Sequence, residues 1–172
     1  AQCPQDVKFI NGEPNILDWT PSPTDKASGK GKYGSCCVEM DIWEANSVST
    51  AYTAHSCSVS EQTRCESPEQ CGDNDSGNRF KGVCDKNGCD LQTYRLGNET
   101  FYGPGSKFLI DTNKPVTVTT QFITHDGTDT GELSEIRRQY KQGGKTFASP
   151  TITFDGRKTK YDSISTDFCT DE

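Results

Sequence analysis

The sequence predicts a mainly β protein, an antiparallel sandwich of the jelly-roll kind with long loops stapled by disulfides. Three observations carry that expectation. Apolar and β-branched residues fall in short runs rather than in helical periods. Sixteen Gly and eight Pro interrupt a chain that is only 30% hydrophobic, so much of its length turns. Nine cysteines occur without a C-x-x-C spacing and with only two histidines, which fits disulfides in an oxidising compartment better than structural zinc. With 172 residues the chain is read as one unit, 1–172, with enough length for a real core.

In chain order, Val7 to Ile10 is a short apolar run that turns at Asn11-Gly12. Residues 20–34 are rich in Pro, Ser, Gly and Lys and read as an exposed loop, its ends flanked by Cys3 and by Cys36-Cys37. From Cys37 to Trp43 apolar and acidic positions alternate, which predicts a strand with one apolar and one acidic face. Residues 55–90 hold five cysteines and no apolar period, as a stapled loop would. Strands are expected at Phe108 to Ile110 and around Val116 to Phe122. A hairpin follows, from Leu133 to Gln142, turning at Gly143-Gly144 into Lys145 to Ala148. A last strand is expected over Thr151 to Phe154. The sum is an antiparallel β fold.

The net charge of −7 argues against nucleic acid and against an anionic membrane, since no basic surface exists to release counterions. No stretch approaches the length of a membrane span. Two sequons, at Asn74 and Asn98, are candidate N-glycan acceptors and agree with secretion. The odd number of cysteines, with no initiator Met and no leader, leads us to expect that both ends lie inside a longer protein.

The chemistry points to Glu39-Met40-Asp41-Ile42-Trp43-Glu44. On an ideal strand Glu39 and Asp41 share a face, about 6–7 Å apart. Glu44 has the opposite parity and joins them only through a bulge or bend. Crowded carboxylates raise the pKa of one member, leaving an acid beside an ionised partner. That division of labour serves glycoside hydrolysis, and a separation of roughly 5–5.5 Å goes with retention through a covalent glycosyl-enzyme. A solvated acidic face or a calcium site would use the same residues.

The run Gly34-Ser35-Cys36-Cys37-Val38-Glu39-Met40-Asp41-Ile42-Trp43-Glu44-Ala45-Asn46-Ser47 closely resembles the catalytic strand of glycoside hydrolase family seven. Ala1-Gln2-Cys3-Pro4, Tyr94 to Asn98, Phe101 to Gly105 and Thr119 to Phe122 resemble segments before and after it, so the likeness runs end to end. The resemblance implies a curved, concanavalin-like β-sandwich of more than twice this length, hence a partial domain. It implies a cellulose chain or cello-oligosaccharide as partner, no metal and no cofactor, a secreted enzyme and a monomer. Glu39 would be the nucleophile, Asp41 would tune it, and Glu44 would be the acid and then the base. Gln2, His55, Arg79, Asp90 and Arg95 match substrate-contacting positions, while Asn87 stands where the family often has Asp. His55 has a second reading as a turn residue beside a disulfide, and Arg95 with Asp90 a second reading as a structural pair. Trp43 and Trp19 read as packing residues rather than sugar platforms.

The resemblance further implies the disulfides Cys3–Cys36, Cys57–Cys84, Cys65–Cys71 and Cys89–Cys169, which leaves Cys37 with a partner before Ala1. Within the family, long roofing loops mark cellobiohydrolases and open clefts mark endoglucanases. The long Cys57–Cys89 region with Arg79, and the stretch Thr20–Lys32, favour a cellobiohydrolase over an endo-acting β-1,4-glucanase. A non-catalytic, lectin-like glucan-binding domain is the alternative of another class. It has no use for the intact Glu39, Asp41 and Glu44 set.

Overall fold

The computed structural model describes residues 3–73 and 79–172. Two compact units divide the chain, Ala1–Met40 with Ala54–Gly88 and Asp41–Thr53 with Cys89–Glu172. The first unit begins with β1 (Phe9–Ile10), β2 (Glu13–Pro14), β3 (Thr20–Pro21), β4 (Gly29–Lys30) and β5 (Gly34–Cys36). Strands β6 (Glu39–Ala45) and β7 (Thr50–His55) carry the chain into the second unit and back. The first unit resumes with β8 (Thr63–Cys65) and the short helix α1 (Pro68–Cys71). The second continues through β9 (Cys89–Asp90), β10 (Tyr102–Gly103), β11 (Ile110–Asp111), β12 (Thr117–Thr124), β13 (Leu133–Gln142), β14 (Lys145–Ala148), β15 (Ser163–Ser165) and α2 (Thr166–Asp171).

Short hairpins and sulfur hold the first unit. Asn11 (φ 52°) and Gly12 (φ 81°) both adopt the left-handed conformation, the turn that matches the twist of a two-residue hairpin, and so β1 pairs with β2. The stretch expected as an exposed loop is largely exposed and folds back on itself, with Thr20 opposite Lys30 and Pro21 opposite Gly29. Trp19 is used in that packing: a Cβ added at Gly29 would lie 2.7 Å from its Nε1. Asn15, 2% exposed, donates through Nδ2 to the carbonyls of Val7 (2.9 Å) and Tyr33 (2.6 Å) and accepts from Tyr33 N (2.9 Å). One buried amide thereby ties the start of the unit to the strand before the cysteine pair. Disulfides Cys3–Cys36, Cys57–Cys84 and Cys65–Cys71 lie in this unit. Its buried cluster is Cys3, Cys36, Cys65, Cys71 and Cys84, with Val83 against it. Helix α1 has a complete start and stop: Ser67 Oγ accepts from Gln70 N, Pro68 follows the cap, and Gly72 (φ 70°) closes it.

The second unit has a conventional core. Strand β13 is central, paired antiparallel with β12 along its length, with β14 at its C-terminal end and with β15 at Glu135–Arg137. The hairpin from β13 to β14 turns at Gly143 (φ 57°) and Gly144 (φ 78°), as the sequence predicts. On the inner face of β13, Ile136, Arg138 and Tyr140 alternate and are all buried. Tyr140 packs with Phe101, Tyr102 and Ile110, its ring edge-on to Phe101 at 5.1 Å. A second aromatic group, Phe154, Tyr161 and Phe168, has centroids 5.5–5.9 Å apart and anchors α2, with Cys89–Cys169 beside it. Burying each such side chain contributes about 1.5–3 kcal/mol.

Several expectations need correction. The apolar positions at and before the start of β6 are largely uncovered: Val38, just before the strand, and Ile42 are 58% and 55% exposed, Met40 is half-buried, and Trp43 on the opposite face is 41% exposed. Alternation identifies a face but not what lies against it. Trp43 is therefore only partly a packing residue, edge-on to Tyr102 at 6.1 Å. Phe108-Leu109-Ile110 yields strand only at Ile110–Asp111, and β10 pairs with β11 in parallel, not antiparallel. Gly103 is required there, because a Cβ would meet the Phe108 ring at 2.5 Å. Thr151 to Phe154 keeps a single bridge, Ile152 to Tyr161. Among the described residues no helix is long and apolar enough to cross a membrane.

Candidate active site

Strand β6 carries the three acids. Glu39 belongs to the first unit, where it and Met40 follow the Cys36–Cys37 pair, and it is half-buried. Asp41, half-buried, and Glu44, exposed, belong to the second unit. A short connection joins β6 to β7. Asn46 N donates to Ser49 O (3.0 Å), and Asn46 Oδ1 accepts from Val48 N (2.9 Å) and Ser49 N (3.0 Å). An asparagine that satisfies its own turn brings β7 beside β6. Thr53 on β7, 5% exposed, donates its hydroxyl to Glu44 Oε2 at 2.7 Å. The orientation of Glu44 is therefore set from the neighbouring strand. Sequence reasoning missed Thr53, and no local motif marks it.

Arg138 reaches the same pair of strands. It is 1% exposed, with Nη1 donating to Ala51 O (3.2 Å) and Nη2 to Thr120 Oγ1 (3.3 Å) and to Ile42 O. Its guanidinium lies 4.2 Å from the Tyr52 ring centroid and 5.3 Å from that of Trp43. Burial pushes the Arg138 pKa down from its usual value, and the Tyr140 and Tyr52 hydroxyls partly oppose this. Burial also holds the Tyr52 and Tyr140 phenols above theirs.

The candidate substrate contacts are distributed. Gln2 and the Asn74 sequon lie outside the described residues. In the first unit His55 is 5% exposed, and its Nδ1 is 2.8 Å from the carbonyl of Asp85. A carbonyl only accepts, so Nδ1 carries the proton in that contact. Asp85 Oδ1 caps its own turn, accepting from Asn87 N and Gly88 N at 2.9 Å. Arg79, exposed, donates from Nε to Asn87 Oδ1 at 3.1 Å, so a neutral amide faces that arginine. In the second unit Asp90 and Arg95 come together, with Arg95 Nη2 2.7 Å from Asp90 Oδ1. Glu172 joins them, paired with Arg95 and accepting from Asp90 N at 3.0 Å. Burial works against the Arg95 charge, but Asp90 and Glu172 outweigh it and raise its pKa. Burial and the Asp90 charge push Glu172 up, against the pull of Arg95. The sequence alone does not indicate Glu172, which is distant in the chain. Asn98 follows a turn closed by its own N–H to Thr93 O at 2.8 Å and is half-exposed.

All four disulfides have the pairing that the resemblance implies, and Cys37 is a free thiol. The sulfurs of Cys3, Cys36 and Cys65 lie within 4.8 Å of one another, but each is oxidised and none is a thiolate ligand.

Comparison with known proteins places this arrangement. The model of glycosyl hydrolase family 7 matches residues 1–172. A family 7 cellobiohydrolase from Daphnia pulex is 55% identical, with a TM-score of 0.87 over 99% of this chain and 38% of its own. A cellobiohydrolase from Melanocarpus albomyces, solved with cellotetraose, is 37% identical, with a TM-score of 0.78 over 99% of this chain and 37% of its own. The endocellulase EGI of Humicola insolens is 36% identical, with a TM-score of 0.74 over 98% of this chain and 36% of its own. The chain thus spans under two fifths of the length of these structures, and its mainly β fold with stapled loops is the fold they share. The chain belongs to glycosyl hydrolase family 7.

Proposed function

We propose that the chain forms part of the catalytic domain of a secreted, retaining cellobiohydrolase that cuts β-1,4-glucosidic bonds in cellulose. The observation that carries this is the intact Glu39, Asp41 and Glu44 set on β6, in a chain the family model matches throughout. Glu39 attacks the anomeric carbon and forms the glycosyl-enzyme. Glu44 protonates the departing oxygen and then deprotonates the incoming water. Asp41 orients Glu39. The hydrogen bond from Thr53 to Glu44 supports the acid role, since it fixes one carboxylate oxygen and leaves the other for the substrate.

Residues 1–172 are one stretch of a single catalytic domain in this reading. Gln2, His55, Arg79, Asp90 and Arg95 line the path of the glucan, and Asn98 accepts an N-glycan. The four disulfides favour secretion. The enzyme acts as a monomer. Its substrate is cellulose or a cello-oligosaccharide, in keeping with the relative solved with cellotetraose. The higher identity to the Daphnia pulex cellobiohydrolase than to the Humicola insolens endocellulase favours exo action. The endoglucanase is the second reading, because that endocellulase structure matches 98% of the chain.

The test compares the full-length protein with its Glu39→Gln variant on amorphous cellulose. Cellobiose as the main soluble product, lost in the variant, is the expected result. Mixed oligomers with rapid loss of viscosity would point to the endoglucanase. Undiminished hydrolysis by the variant would overturn the assignment.

A further inference from the structure

A buried arginine normally has a carboxylate partner. Among the described residues no ion pair to Arg138 is found. Its guanidinium donates to two backbone carbonyls and the Thr120 hydroxyl, lies against two aromatic rings and has the Tyr140 hydroxyl nearby. The two carbonyls are informative. Ile42 O belongs to β6, between Asp41 and Glu44, and Ala51 O belongs to β7, two residues before Thr53. Glu44 and Thr53 are themselves joined across these strands at 2.7 Å. One rigid, planar guanidinium therefore grips both strands beside the hydrogen bond that orients Glu44. Arginine suits the task because its fixed fork of donors reaches two acceptors at once while its faces stack on rings. Lysine keeps the charge but has neither the plane nor the fork.

We propose that Arg138 is the positioning residue for Glu44: by bracing the backbone of β6 against β7 it sets where the acid carboxylate points. The inference rests on the acid role of Glu44 proposed above. Only the glycosylation of poor leaving groups needs that acid, so misplacing Glu44 slows natural glucosidic bonds more than aryl glycosides with acidic phenols. A purely structural role for Arg138 would slow both substrates alike, through the fraction of folded enzyme.

The experiment compares Arg138→Lys and Thr120→Val with wild type in the full-length enzyme, below the melting temperature of each. The substrates are cellotetraose and a dinitrophenyl cellobioside, with Glu39→Gln as control. Arg138→Lys is expected to lower kcat/KM for cellotetraose at least tenfold more than for the aryl glycoside. Thr120→Val, which removes one partner of Nη2, is expected to show the same skew at about threefold. Equal losses on both substrates, or no loss, overturn the inference. If Arg138→Lys does not fold, Thr120→Val decides by the same criterion. Undiminished activity of Glu39→Gln would instead overturn the catalytic reading itself, whatever Arg138 does.

Discussion

The two units of this chain achieve stability by different means. The first has strands of two or three residues, one four-residue helix and a buried cluster made almost wholly of cystine sulfur. The second has strands of eight and ten residues and buried Phe, Tyr and Ile side chains, with one disulfide at its edge. Short hairpins bury too little apolar surface to offset the entropy of ordering their loops, so covalent links supply the difference. Long paired strands with an alternating face do not need them. Core substitutions should therefore act mainly on the second unit and loss of cystine mainly on the first.

The largest effect should come from Phe168→Ala, which empties a fully buried site packed by Phe154 and Tyr161. About 3–5 kcal/mol of stability should be lost, read as a lower denaturation midpoint in a chemical melt. Replacing Cys3 and Cys36 together by Ser removes a link across 33 residues, and a loss of about 2–5 kcal/mol is expected. Limited proteolysis of that variant should cut first within residues 3–36. Cleavage that starts in β12 or β13 would break the comparison. Gly144→Ala is a smaller perturbation. At φ 78° it places a Cβ in the left-handed region of a hairpin turn, with open space around it, so only the conformational cost of about 1–2 kcal/mol applies.

The smallest effect is one of pH. Backbone N–H groups of Gly105 (2.7 Å) and Asn113 (3.1 Å) and the Lys114 ammonium (3.1 Å) hold the Asp111 carboxyl below its ordinary value. The folded state therefore favours the ionised form. Its contribution is full above the unfolded pKa and is lost as pH falls through the folded one. Melting temperature should fall below about pH 4, and Asp111→Asn should flatten part of that slope. An unchanged acid slope in the variant would assign it to other carboxylates.

The sequence made some of this legible. Asn11-Gly12 and Gly143-Gly144 announce their hairpins because only residues tolerant of positive φ fit such turns. Strand β13 is rich in charge and was legible mainly through the Gly143-Gly144 turn that follows it, since its buried alternation runs only from Ile136 to Tyr140. Strand β7 escaped because Thr50 to Thr53 are all buried and so show no alternation of period two. Helix α2 is only six residues, too short for a period, although Ser165 caps it through Phe168 N. In the site, the three acids were visible as a motif, whereas Thr53 and Glu172 act from elsewhere in the chain. Arg138 carried a signal that went unused: its parity is that of Ile136 and Tyr140, which places a charged residue on the inner face. The exposure of Val38, Ile42 and Trp43 was not legible, because pattern does not say what covers a face.

The most direct test of the central claim is to incubate the full-length protein with an activated 2-deoxy-2-fluoro-cellobioside and locate the label by peptide mass spectrometry. The fluorine slows breakdown of a glycosyl-enzyme, so a retaining enzyme accumulates it. A stoichiometric fluorocellobiosyl adduct on Glu39, absent from Glu39→Gln, is the result this account predicts. An adduct on another residue, or none while cellulose is still cut, would contradict it.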